Sequence, residues 1–137
     1  MMFVPVTSIL VDDQDKALAF YTDVLGFVKK TDIPVGDAKW LTVVSPDAPD
    51  GVELLLEPDG NPGIQIDGKP AARVYKKTLY DAGMPFTMLG STDLQKDYER
   101  MTELGARFTQ EPTKTSFGAQ AVFDDTCGNL ILLTQQD

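Results

Sequence analysis

The sequence predicts an α+β fold made of two βαβββ modules whose sheets form a cup, and three observations carry that prediction. An aspartate-capped amphipathic helix occurs twice, with the caps Asp13 and Asp93 lying 80 residues apart. Each helix closes on a Leu-Gly pair, Leu25-Gly26 and Leu104-Gly105, and these pairs are 79 residues apart. One strand-like run precedes each helix and three follow it. A chain of 137 residues with 42% hydrophobic content fills one core and suits one domain. The organisation expected is a single domain, 1–137, with module one at about 1–57, a connector at about 58–83 and module two at about 84–137.

The β-branched run Phe3 to Val11 predicts a first strand. Asp13 then caps a helix over Gln14 to Val24, whose apolar face is Ala17, Leu18, Tyr21, Val24 and Leu25. Strands are predicted at Phe27 to Thr31, Lys39 to Ser45 and Val52 to Glu57, separated by turn-rich pieces around Pro34-Val35-Gly36-Asp37 and Pro46 to Gly51. Residues 58 to 69 hold too many breakers for regular structure, and Pro70 opens a helix over Ala71 to Ala82 that Gly83 ends. Module two repeats the plan: a strand over Met84 to Gly90, a helix over Leu94 to Leu104, and strands near Arg107 to Thr109, Ala119 to Asp124 and Leu130 to Gln135. The segment Asp124 to Asn129 forms the last hairpin turn, and Glu111 to Gly118 is expected as a loop able to act as a lid.

Composition narrows the chemistry. With 12 basic against 21 acidic residues the net charge is −9, which disfavours nucleic-acid backbones. There is no histidine, so Ser-His-Asp and Cys-His catalysis and His-containing metal sites are excluded. The single cysteine, Cys127, cannot form an internal disulfide; a reducing cytoplasm is expected, with no membrane-spanning run and no signal-peptide pattern at Met1 to Pro5.

Val11-Asp12-Asp13, Ala17-Leu18-Ala19-Phe20-Tyr21 and Val24-Leu25-Gly26-Phe27 resemble the opening of the vicinal oxygen chelate superfamily, which holds glyoxalases, extradiol dioxygenases and bleomycin resistance proteins. Phe123-Asp124-Asp125-Thr126-Cys127-Gly128-Asn129-Leu130-Ile131-Leu132 is similar to its closing Asp-x-x-Gly-Asn hairpin. The resemblance covers nearly the whole chain. It implies a metal held in the cup by one residue from each of four strands, and those positions fall on Val6, Glu53, Phe86 and Leu132. Only Glu53 is a metal donor, and a divalent cation needs several. No metal and no cofactor are therefore expected, and metal-dependent glyoxalase or dioxygenase chemistry requires a site not recognised in these residues.

What remains is a cup with an apolar floor and one acidic group. The function expected is metal-independent binding of a small, cationic or aromatic molecule, with Val6, Ser8, Trp40, Glu53, Leu55, Phe86, Met88 and Leu132 as the ligand-binding set. Trp40 either stacks a planar ligand or packs in the core or a dimer interface. The alternatives are a non-metal lyase or isomerase that uses Glu53, with a raised pKa, as its base, and an interaction module without a pocket; Glu53 is otherwise a remnant that hydrogen-bonds a neighbouring hydroxyl or faces solvent. Tyr75, Lys76, Lys77 and Tyr80 either close over a ligand or form a solvated helix face with the aromatics inward. Cys127 is read as an inert thiol, Asp13 as a cap and Asp124-Asp125 as turn formers. The partners expected are a small-molecule ligand and a second copy of the chain in a homodimer, since dimers are the state the resemblance implies and open sheet edges gain from being covered.

Overall fold

Asp13 and Asp93 both sit in non-helical backbone, and each carboxylate accepts the amide three residues on, from Lys16 at 3.0 Å and from Lys96 at 3.1 Å. Those bonds satisfy amides that a first helical turn leaves without partners. The computed structural model describes residues 1–137. The chain divides into two compact units, Met1–Tyr75 and Lys76–Asp137.

The first unit contains β1 (Val6–Val11), α1 (Gln14–Ala19), β2 (Val28–Val35), β3 (Ala38–Val44) and β4 (Glu53–Pro58). Its four-stranded sheet has the order β1-β4-β3-β2. β1 and β4 run parallel, with Val6 opposite Glu53 and Ser8 opposite Leu55. Alternation sends Ile9, Val11, Leu41, Val43, Leu54 and Leu56 to one face, where they are buried with Ala17, Phe20 and Tyr21. The helix predicted over Gln14 to Val24 widens after Ala19: the Leu25 amide reaches back to the Phe20 carbonyl, one residue further than in an α-helix, so Phe20–Val24 forms a π-helical turn. Phe20 and Tyr21 pack edge to face there, with ring centres 5.8 Å apart.

The stretch 58–69 is more ordered than its breakers predict. β5 (Gln65–Ile66) and β6 (Lys69–Pro70) form a small hairpin around Asp67 and Gly68, both with positive φ, 52° and 79°. Two such residues in succession make the tight turn that matches strand twist. α2 (Ala71–Asp81) follows and crosses the boundary between the units. Lys77 is exposed and Tyr80 half-buried, as a solvated face with inward aromatics requires, but Tyr75 is exposed and Lys76 is buried, its ammonium donating to the Cys127 carbonyl at 2.6 Å.

The second unit contains β7 (Thr87–Gly90), α3 (Leu94–Glu103), β8 (Arg107–Thr115), β9 (Gly118–Asp124) and β10 (Leu130–Gln136), in the sheet order β7-β10-β9-β8. Leu94, Met101, Ala121, Phe123, Ile131 and Leu133 form its core. The Phe108 ring packs against Tyr98 at 4.7 Å and Phe123 at 5.7 Å between centres. The lid expected at Glu111 to Gly118 is absent as a loop: β8 continues to Thr115 and turns directly into β9. Pro112 is accommodated because the register slips between Gln110 and Thr113, which removes the demand for its missing amide hydrogen.

The β9–β10 turn is built around a buried carboxylate. Asp125 accepts the amides of Cys127 (2.8 Å) and Asn129 (3.0 Å) on one oxygen and the Asn129 side-chain amide (2.9 Å) on the other. Gly128 has φ +92°, and a Cβ there would stand 2.7 Å from the Lys76 nitrogen. Next to it, Asp124 binds Tyr80 and Arg107, the guanidinium at 2.6 Å. Burial pushes the Asp124 carboxyl up, but the Tyr80 hydroxyl, the Thr126 amide and Arg107 together hold it below its ordinary value.

Two stability predictions follow from these contacts. Asp125→Ala leaves three donors without their acceptor and should cost about 3 kcal/mol or more in urea unfolding, whereas Asp93→Ala, which removes one exposed cap, should cost about 1 kcal/mol. For Asp124, a depressed folded pKa means stability that is present above the unfolded value of about 3.9 and lost as pH falls through the folded one. The gap in urea midpoint between the wild type and Asp124→Asn should therefore be constant near neutrality and shrink below about pH 4.

Candidate functional site

The face of the first unit's sheet that turns away from α1 is assembled by strand register. Val6 and Ser8 of β1, Glu53, Leu55 and Glu57 of β4, Trp40 and Thr42 of β3, and Thr31 and Ile33 of β2 alternate onto it. Most of the face away from α1 is less buried than the face packed on it, and Trp40 is 44% exposed.

Glu53 does not stand as a bare charge. One of its oxygens accepts the Thr42 hydroxyl at 2.6 Å and the Thr31 hydroxyl at 3.2 Å. The Thr42 bond dominates, outweighs desolvation, and with Thr31 and nearby Lys30 holds the carboxyl below its ordinary value. Of the two readings open for Glu53, a base with a raised pKa and a remnant bonded to a neighbouring hydroxyl, these bonds favour the second. A carboxyl so held is a weak proton acceptor at neutral pH.

A concavity of this unit lies at Leu55 and Glu57, further along β4 from Glu53. It is a hollow of about 690 Å³ between the start of β3 and the end of β4. Val35, Trp40, Leu55, Pro58 and Pro62 give it apolar walls; Asp37, Lys39, Glu57 and Asn61 supply polar groups. Ser8 donates to one oxygen of Glu57 at 2.9 Å, and Lys39 is paired with Asp15 at 3.2 Å. Of the residues expected from the sequence, Trp40 and Leu55 line this hollow, Ser8 acts through Glu57, and Val6 and Glu53 lie outside its walls.

In the second unit, Met88 and Leu132 sit opposite each other on the parallel pair β7–β10 and line a smaller hollow of about 230 Å³ with Phe117, Ala119, Gln120 and Thr134. Met88 is 60% and Phe117 80% exposed. Phe86 lies outside it, just before β7, its amide bonded to the Leu130 carbonyl.

Sequence reasoning missed Asp37, Glu57, Pro58, Pro62 and Phe117. Period-two alternation from Glu53 does place Glu57 on the same face, a signal present in the sequence. The prolines were assigned to a connector, and Phe117 to a loop.

The metal that the resemblance implies does not fit these residues. Val6, Phe86 and Leu132 have side chains with no donor atom, which leaves Glu53 alone, with one of its two oxygens already accepting two hydroxyls. Nowhere do three His, Cys, Asp or Glu side chains converge as a metal would need. No helix is long and apolar enough to cross a membrane.

Comparison with known proteins agrees with the fold. The uncharacterized protein YurT of Bacillus subtilis (strain 168) is 53% identical over 135 residues, 98% of this chain and 100% of YurT. The crystal structure of UcmS2 superposes with a TM-score of 0.82 at 34% identity, covering 97% of both chains. That of TnmS3, an antibiotic binding protein from Streptomyces sp. CB03234, superposes with a TM-score of 0.74 at 28% identity, covering 100% of this chain and 98% of TnmS3. The sequence profile of one family matches residues 4–133, nearly the full length, and with the two four-stranded modules it places this chain in the Glyoxalase/Bleomycin resistance protein/Dioxygenase superfamily.

Proposed function

We propose that the protein binds a small, aromatic, cationic molecule in the hollow of its first module, without a metal. The observation that carries this reading is the hollow itself: about 690 Å³, walled by Trp40, Leu55 and two prolines, with the carboxylates of Asp37 and Glu57 at its edge. That volume suits a drug-sized molecule, and apolar walls with a few polar groups are what such sites require. An indole beside carboxylates favours a flat ring bearing positive charge, through stacking and cation–π attraction. Lys39 does not cancel the acidic rim, because Asp15 already neutralises it. The antibiotic-binding relative TnmS3 supports ligand capture as the kind of function, and the apolar hollow at Met88, Phe117 and Leu132 offers a second, uncharged surface.

A base-catalysed reaction at Glu53 is not part of the proposal, since its two threonine bonds stabilise the charged form. We read the working form as a homodimer in a reducing, cytoplasmic setting. Its support is that Cys127 is buried and in no disulfide and that β2 and β8 end their sheets with an outer edge available for cover.

Proflavine, a planar aromatic cation, tests the proposal by its fluorescence anisotropy on titration with protein. The wild type should bind it more tightly than acridine, the same ring frame left largely uncharged at pH 8. Trp40→Ala should weaken proflavine binding at least about tenfold, which is about 1.4 kcal/mol. Glu57→Gln should weaken it about three- to fivefold at low salt and leave acridine unchanged, in keeping with a partly screened charge. Glu53→Gln should leave both affinities alone. Proflavine binding that survives Trp40→Ala would remove the hollow from the function.

A further inference from the structure

The two modules share a frame but differ at one join. In the second, β9 and β10 pair continuously over seven residues, from Leu130 opposite Asp124 to Gln136 opposite Gly118. In the first, the corresponding strands β3 and β4 pair only at Thr42–Leu55 and Val43–Leu54, although β3 begins at Ala38 and β4 runs to Pro58.

Where that pairing stops, a side chain takes over from the ladder. Gln14, the first residue of α1, donates from one nitrogen to the Lys39 carbonyl at 2.8 Å and to the Leu56 carbonyl at 2.9 Å. Its oxygen accepts the Lys39 amide at 3.1 Å. One carboxamide thus uses both donor hydrogens and its acceptor to satisfy three backbone groups on two strands. Pro58 shows why a substitute is needed: extending the register puts it opposite Lys39, and proline has no hydrogen to give to that carbonyl. The same helical position in module two, the residue after the aspartate cap, is Leu94, which is apolar, buried and unable to replace backbone bonds.

We propose that Gln14 is a positioning residue that holds β3 and β4 apart and so opens the hollow between Trp40 and Glu57. In an unbroken antiparallel pair, directly opposed side chains stand about 5 Å apart and fill the space between them. Trp40 and Glu57 would be such a pair by register, yet both line a hollow wide enough for a ligand. The parted strands form a fork, and Gln14 is the bar across it, fixed from the helix side while the opening faces the other way. Capture of a ligand is then a property of the first module because its helix starts with Gln where the second starts with Leu. This inference rests on the binding function proposed above, and its test separates the two.

The decisive variant is Gln14→Leu, which gives module one the residue of module two. Its crystal structure should show β3 and β4 drawn together beyond Leu41–Leu56 and a much smaller hollow. Proflavine affinity should fall at least about tenfold, with a shift in the native-state emission of Trp40, the only tryptophan, which a loss of stability alone would not move. Gln14→Glu keeps the length but donates to neither carbonyl; it should weaken binding in the same direction and serves if the leucine variant does not fold. A fork and hollow unchanged in Gln14→Leu would overturn the inference. So would a closed fork that binds proflavine as the wild type does, or unaltered affinity in both variants. Failure of the wild type to bind proflavine would count against the proposed function alone, since the shape of the fork in the variant still decides the role of Gln14.

Discussion

The parallel pairing of the first and last strands in each module is the constraint on which the rest of the structure depends. β1 beside β4, and β7 beside β10, force the chain to cross over through a helix and to return by a meander that ends next to where it began. That crossover covers one face of each sheet and leaves the other without a helix of its own. It also brings residues far apart in sequence onto single rungs, Val6 with Glu53 and Met88 with Leu132. In a relative that binds a metal, such rungs are where donors from separate strands would meet. Here they pair a carboxylate with valine, and methionine with leucine, so the frame delivers proximity without the atoms that coordination needs.

The fold was legible because its signals are local and occur twice. A carboxylate at a helix cap and a glycine after a helix end each answer a backbone demand within a few residues, and the structure meets both demands where the sequence places them. The departures have causes that local pattern does not carry. The π-helical turn at Phe20–Val24 is read from a backbone bond one residue longer than helical periodicity assumes. Pro112 reads as a loop former but lies in a strand, because an extra residue in its own strand slips the register there and absorbs it. The exposure of Tyr75 and the burial of Lys76 depend on a carbonyl 51 residues away, at Cys127.

The candidate site was less legible than the fold for a related reason. Trp40 and Leu55 follow from alternation along one strand. The state of Glu53 does not, since it is set by hydroxyls on two other strands, and the hollow itself follows from a place where two strands fail to pair. A missing ladder bond leaves no mark in composition or periodicity. Gln14 occupies a position where helix propensity alone would accept many residues, and its importance appears only when the three backbone groups around its carboxamide are counted.

Alternation also separates what stabilises this protein from what can vary in it. The faces packed on helices are apolar in both modules, Ile9, Leu41 and Leu56 in one and Phe123, Ile131 and Leu133 in the other, and changes there cost cavities. The opposite faces have diverged: tryptophan, threonines and carboxylates in the first, methionine, phenylalanine and glutamines in the second. Such divergence is tolerable only if each polar group left on these faces finds a partner there, because an unpaired charge at a half-buried strand is costly. Glu53 meets that condition through Thr42 and Thr31, and Glu57 partly through Ser8, which leaves Glu57 an oxygen to offer a ligand. The carboxylate at the position where the resemblance implies a metal ligand is thus bonded within the sheet, and the one four residues further along, beside the fork, is the one that lines the hollow.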